Sequence, residues 1–116
     1  MYIYDRAHQL AADIKQSEEF KTYKALKDEL YAEETTKSLL KQYKQAQFEA
    51  QAMVMSGQQP SEELMDKLKK VGEVLAFNPK VTEFFAAEYK FNTIVSDIYK
   101  IIGDACELDT GLFEQE

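Results

Sequence analysis

At 116 residues the chain carries one domain's worth of sequence, with no room for a second independent core. Its 14 Lys+Arg stand against 21 Asp+Glu, and the resulting charge of −7 makes a polyanion such as nucleic acid a poor direct partner. No apolar run exceeds four residues, which argues against a transmembrane helix or a secretory core segment, so no membrane partner is expected. The single Cys106 closes no intramolecular disulfide and fits a reducing, cytoplasmic setting.

The apolar spacing is helical from end to end, and only four Gly and two Pro interrupt it. Ile3, Ala7, Leu10 and Ile14 form one stripe, widened by Tyr4 and Ala11, so a first helix ends near Gln16. Ser17 suits an N-cap because its hydroxyl can accept from the free amides of the next turn, and Glu18 and Glu19 then meet the positive end of the helix dipole. The second helix turns Phe20, Tyr23, Leu26 and Leu30 inward. Its stripe loses phase around Glu33–Thr35, where a short break is expected.

A third helix, from about Thr36 to Ser56, carries Leu39, Tyr43, Ala46, Ala50 and Met53 on one line. Gly57 suits the left-handed exit from a helix, and Gly57–Pro60 reads as a loop. Ser61-Glu62-Glu63 repeats the start of the second helix, and Leu64, Leu68, Val71 and Leu75 make the fourth stripe. Asn78-Pro79 stops one helix and starts the next, since Pro disfavours helix at the residue before it and suits the first turn after it. The fifth helix runs from Pro79 to about Asp104, with Phe84, Phe91, Val95, Ile98 and Ile102 in line and Ala87, Ile94 and Ile101 beside them. Residues 1–106 are thus expected to form a single helical domain, and residues 107–116 an acidic C-terminal tail holding the apolar pair Leu112-Phe113.

The expected architecture is all-α, an elongated bundle of about five helices with two long antiparallel ones. At ~1.5 Å rise per residue the last helix reaches roughly 39 Å, against a radius of gyration of about 13 Å for a compact chain of this size. On the third helix, Phe48, Ala52 and Met55 lie opposite the Leu39 stripe, so its C-terminal half is apolar on two sides. Either the first or fourth helix covers that second face, or the protein self-associates as a dimer or higher homo-oligomer. Leu112 and Phe113 join Phe48, Ala52 and Met55 as candidate association residues.

Chemistry-bearing groups are sparse. His8 is the only histidine, and Asp5-x-x-His8 is one carboxylate–histidine pair where a two-metal helical site needs two. Cys106, beside Ile102 and Ala105, suits a small core residue better than a reactive thiol. Glu88 falls on the apolar stripe between Phe84 and Phe91, where a carboxylate loses hydration unless paired, and Asn92 one turn on is expected to share that buried polar contact. The rival reading is a carboxylate and histidine metal site, bound or catalytic, around Asp5, His8 and Glu88. The chain has no Gly-rich phosphate loop, no Gly-x-Ser-x-Gly, no Cys-x-x-Cys and no His-Glu-x-x-His. A binding module without catalytic residues, resident metal or cofactor is the expectation.

Five segments in order carry a resemblance: Tyr4-Asp5-Arg6-Ala7-His8-Gln9-Leu10-Ala11, then Ile14-Lys15-Gln16-Ser17-Glu18-Glu19-Phe20-Lys21, Leu40-Lys41-Gln42-Tyr43, Asn78-Pro79-Lys80-Val81 and Ala87-Glu88-Tyr89-Lys90-Phe91-Asn92. Together they resemble the YlbF/YmcA family of Gram-positive bacteria over essentially the whole chain, and Leu108–Phe113 is similar to the YlbF-like branch. The resemblance implies a small helical protein that associates with itself and with paralogues. It further implies a cytosolic accessory factor that modulates an endoribonuclease, and so mRNA processing, competence, biofilm formation and sporulation. Part of that family complex carries iron–sulfur clusters. Here the chain has Cys106 alone, and one thiolate cannot hold a four-cysteine cluster, so Cys106 is at most one ligand in a shared site.

Overall fold

The computed structural model describes residues 1–108; Leu112 and Phe113 lie outside the described residues. Five helices follow one another: α1 (Tyr2–Gln16), α2 (Glu18–Tyr31), α3 (Glu34–Met55), α4 (Glu62–Leu75) and α5 (Pro79–Ala105). No strand occurs among the described residues.

The helix starts are set by short polar side chains. Ser17 keeps an extended backbone (φ −69°, ψ 150°) between α1 and α2. Its Oγ accepts from the Phe20 amide at 3.2 Å and donates to the Ile14 carbonyl at 2.6 Å, so one hydroxyl opens α2 and closes α1. Ser61 repeats the device, accepting from the Leu64 amide at 3.1 Å. Asn78 Oδ1 accepts from the Lys80 amide at 3.0 Å just ahead of α5. The break before α3 is tighter than the loss of phase suggested. It occupies Ala32 and Glu33, and α3 begins at Glu34, ahead of the expected Thr36. Thr36 instead sits inside the first turn, buried, with its hydroxyl donating to Glu33 Oε1 at 3.2 Å.

Two helices end in the same way. After α3 the Gln58 amide donates to the Met53 carbonyl and the Gly57 amide to that of Val54, with Gly57 at φ +84°. After α5 the Leu108 amide reaches Gly103 and the Glu107 amide reaches Asp104. Both sets close the free carbonyls of a last turn through one left-handed residue. The second end places Glu107 at φ +53°, where a side chain crowds the following carbonyl and glycine would not.

The described chain divides into two compact units. In the Leu26–Glu83 unit, α3 and α4 pack as a helical hairpin. Leu40, Ala46, Leu64 and Leu75 are buried there, joined by Leu30 of α2 and Val81 of α5. Each large apolar side chain withdrawn from water in this way contributes about 1.5–3 kcal/mol. The helices approach closely at one point: a Cβ added at Gly72 of α4 would lie 3.3 Å from the Tyr43 ring of α3.

The other unit joins residues 1–25 to residues 84–108. The N-terminal part of α2 packs on α5 through rings. Phe20 meets Phe91 at 5.3 Å between centroids, and Tyr23 stacks on Phe84 at 5.8 Å and on Phe91 at 5.3 Å. Phe84, at 0% exposure, is the fully buried ring of this cluster, and Tyr23 joins it to Phe20 and Phe91. The order of these contacts, Phe20 with Phe91 and Tyr23 with Phe84, makes the two helices antiparallel. Here the stripe of α1 faces water. The helix buries no residue, Ile14 alone is half-buried, and Ile3, Tyr4 and Leu10 are exposed. The reason is the connection. A helical hairpin needs a loop of about 2–5 residues, and the single extended Ser17 does not let α1 reverse onto α2.

Candidate protein-interaction surface

The residues singled out on the back of α3 form one exposed line. Phe48, Ala52 and Met55 recur at helical spacing, so they share a face. In the Leu26–Glu83 unit α4 packs along α3, and all three residues stay in contact with solvent, Phe48 at 73% and Met55 at 81% exposure. Val54 beside them is exposed as well. On α4, Met65 and Val74 are exposed, as is Phe77 just past its end. Exposed apolar side chains scattered singly are ordinary on a protein surface; a contiguous row along one helix face is the pattern of a contact site. Sequence periodicity found the α3 row. It missed Phe77, which belongs to no stripe and lies in the turn between α4 and α5.

The polar candidates are placed less centrally. Glu88 is half-buried on α5 and its side chain is engaged with a neighbour. Asn92 is exposed and lines a shallow polar concavity with Tyr89, Thr93, Ser96 and Asp97. Thr93 fixes its own hydroxyl by donating to the Tyr89 carbonyl at 2.9 Å.

Asp5 and His8 both stand exposed on α1. Among the described residues no group of three His, Cys, Asp or Glu side chains comes together in a way that could hold a metal ion. The cluster that the metal reading requires around Asp5, His8 and Glu88 is therefore not assembled in the described chain. Cys106, expected as a small core residue, is instead an exposed free thiol in the turn that ends α5. The Schellman-type closure carries it past the last helical turn and out of the apolar stripe. No helix of the described residues is long and apolar enough to cross a membrane.

The candidate surface is thus made of helix faces whose exposed groups are apolar contacts, with engaged or solvated polar groups between them. Comparison with known proteins agrees with a small helical protein of this kind. The UPF0342 protein of Halothermothrix orenii is 36% identical over 116 residues, covering 100% of this chain and 97% of that protein. A UPF0342 protein of Symbiobacterium thermophilum is 31% identical, covering 92% and 96%. Among solved structures, a protein of unknown function (DUF964) from Bacillus stearothermophilus superposes with a TM-score of 0.69 at 19% identity, covering 92% of this chain and 94% of that one. The structure of Bacillus subtilis RicA in complex with RicF also matches, with a TM-score of 0.58 at 23% identity and coverage of 91% and 94%. A family model described as control of competence regulator ComK, YlbF/YmcA, matches residues 3–107, and the chain belongs to that family.

Proposed function

We propose that this protein is a non-catalytic regulatory adaptor that works by helix-mediated contact with other proteins, itself included. The observation that carries the reading is the row of Phe48, Ala52 and Met55, apolar side chains exposed along one face of α3. Membership of the YlbF/YmcA family supports a regulatory role, and the complex of RicA with RicF supports another protein as a partner. The finer reading places the chain in the cytoplasm, where it joins helical paralogues and an endoribonuclease complex. Through mRNA processing it then influences competence, biofilm formation and sporulation. Glu88 serves in this reading as a structural polar contact of α5, with Asn92 beside it.

The test is a pull-down from native cytosol with the full chain as bait, run beside Ala52→Glu. The proposal expects a ribonuclease and helical paralogues to copurify with the wild type and to be lost with Ala52→Glu. Burying that new carboxylate against an apolar partner would cost several kcal/mol in place of a favourable contact. A wild-type bait that retains neither class of partner would overturn the finer reading. Retention undiminished by Ala52→Glu would move the contact off α3.

A further inference from the structure

We propose that Ser17 is a two-state joint. Its hydroxyl holds α1 and α2 as two separate helices, and without that hydroxyl they fuse into one, with the α1 stripe turned away from the side of α2 that packs on α5. The joint is a conformational device within one chain, independent of the α3 row.

The break at Ser17 has an unusually local cause. No Gly or Pro stands anywhere between Tyr2 and Tyr31, and the residues on either side of the joint, Lys15-Gln16 and Glu18-Glu19, are good helix formers. What departs from helix is Ser17 itself, at φ −69° and ψ 150°. Its amide and its Oγ both donate to the Ile14 carbonyl, at 3.1 and 2.6 Å, while the same Oγ accepts from the Phe20 amide at 3.2 Å. Packing adds little to this. α1 buries no residue, and Ile14 beside the joint is only half-buried.

The two forms are closely balanced. In a continuous helix the amides of Ser17, Glu18, Glu19 and Phe20 would donate to the carbonyls of Asp13, Ile14, Lys15 and Gln16. Each residue so added favours the helix by a factor of only ~1–1.6, so four of them bring at most about sevenfold. A serine N-cap, compared with alanine, is worth about fivefold in the opposite direction. One hydroxyl is thus comparable with the whole gain from fusion, and it decides which form prevails.

The forms differ in what they present. Along a continuous helix each residue turns by ~100°, which would set Tyr23 about 180° and Phe20 about 120° from Ile14. Those two rings pack on Phe84 and Phe91 of α5. Fusion would therefore carry Ile3, Ala7, Leu10 and Ile14 to the side facing away from the ring cluster and strip Ile14 of its partial cover. The extended residue breaks this phase and lets α1 take a direction and a rotation of its own. A protein that touches α1 meets a different surface in each form, so the joint regulates which face of α1 is on offer.

Nuclear magnetic resonance of the full chain tests the joint, with Ser17→Ala and Ser17→Asp beside the wild type. The readouts are the Cα shift of residue 17 against its own unfolded value, and hydrogen exchange of the Glu18 and Glu19 amides. Alanine removes the cap and adds about twofold in helix propensity, so the ratio of fused to broken form should rise about tenfold. Residue 17 then moves to a helical shift, and exchange at Glu18 and Glu19 slows. Aspartate keeps an acceptor for the Phe20 amide and should hold the break, with residue 17 extended and both amides exchanging as in the wild type. An alanine variant that stays extended at residue 17 would overturn the proposal, and so would an aspartate variant that fuses as fully as alanine. A wild type already helical at residue 17 in solution would sink it as well.

Discussion

The two units handle their apolar stripes differently. In the Leu26–Glu83 unit, α3 and α4 are joined by a loop long enough to reverse the chain, and Leu40, Ala46, Leu64 and Leu75 are buried between them. In the unit of residues 1–25 and 84–108, a single residue joins α1 to α2, and α1 keeps a stripe of equal quality in contact with water. Both helices are written in the same apolar period. What separates them is whether the chain between neighbours can turn back, since a stripe states which face seeks cover while the connection decides what can supply it.

Substitution in each unit sharpens this contrast. The largest effect is expected at Phe84, whose replacement by Ala empties the ring cluster against Phe85 and Tyr23 at a cost of about 3–5 kcal/mol. Leu40→Ala, at the fully buried centre of the other unit, should cost about 2–5 kcal/mol. Urea unfolding followed by circular dichroism reads both. A Phe84→Ala loss below 1 kcal/mol would mean the ring cluster is not the anchor of its unit. Next in size is Ser61→Ala, which removes the acceptor for the Leu64 amide and should cost about 1 kcal/mol.

Glu107→Gly works in the opposite direction. It relieves a side chain held at φ +53° and should stabilise α5 by about 0.5–1 kcal/mol, seen as a higher melting temperature. The smallest effect on the single chain is expected from Ala52→Glu. Ala52 is exposed, so the folded chain should lie within about 0.5 kcal/mol of wild type while assembly is lost. Sedimentation and melting of the same sample distinguish the two consequences.

Most of the helix pattern was legible because its signals are local. Ser17, Ser61, Asn78-Pro79 and Gly57 each act within one turn, and each marks a boundary where it was expected. The start of α3 was harder to place, because Glu33 caps it without a residue type that advertises the role. The α3 row of Phe48, Ala52 and Met55 could be read from spacing alone. The exposure of α1 could not, since periodicity carries no information about the reach of a one-residue connection. Cys106 failed for a similar reason: its position after Ile102 continues the stripe, but the helix stops at Ala105 and the turn carries the thiol outward.

Gly72 also bears on how the hairpin opens. A glycine inside a helix weakens it by about 1 kcal/mol relative to alanine, so the 14-residue α4 has little persistence of its own. It holds its shape because the bare backbone at that point lets the Tyr43 ring come close. Separation of the two helices would therefore melt α4 at the same moment. Amide hydrogen exchange should show α4 protons lost in one concerted opening with those of α3 that face it, without an earlier phase of fraying confined to α4.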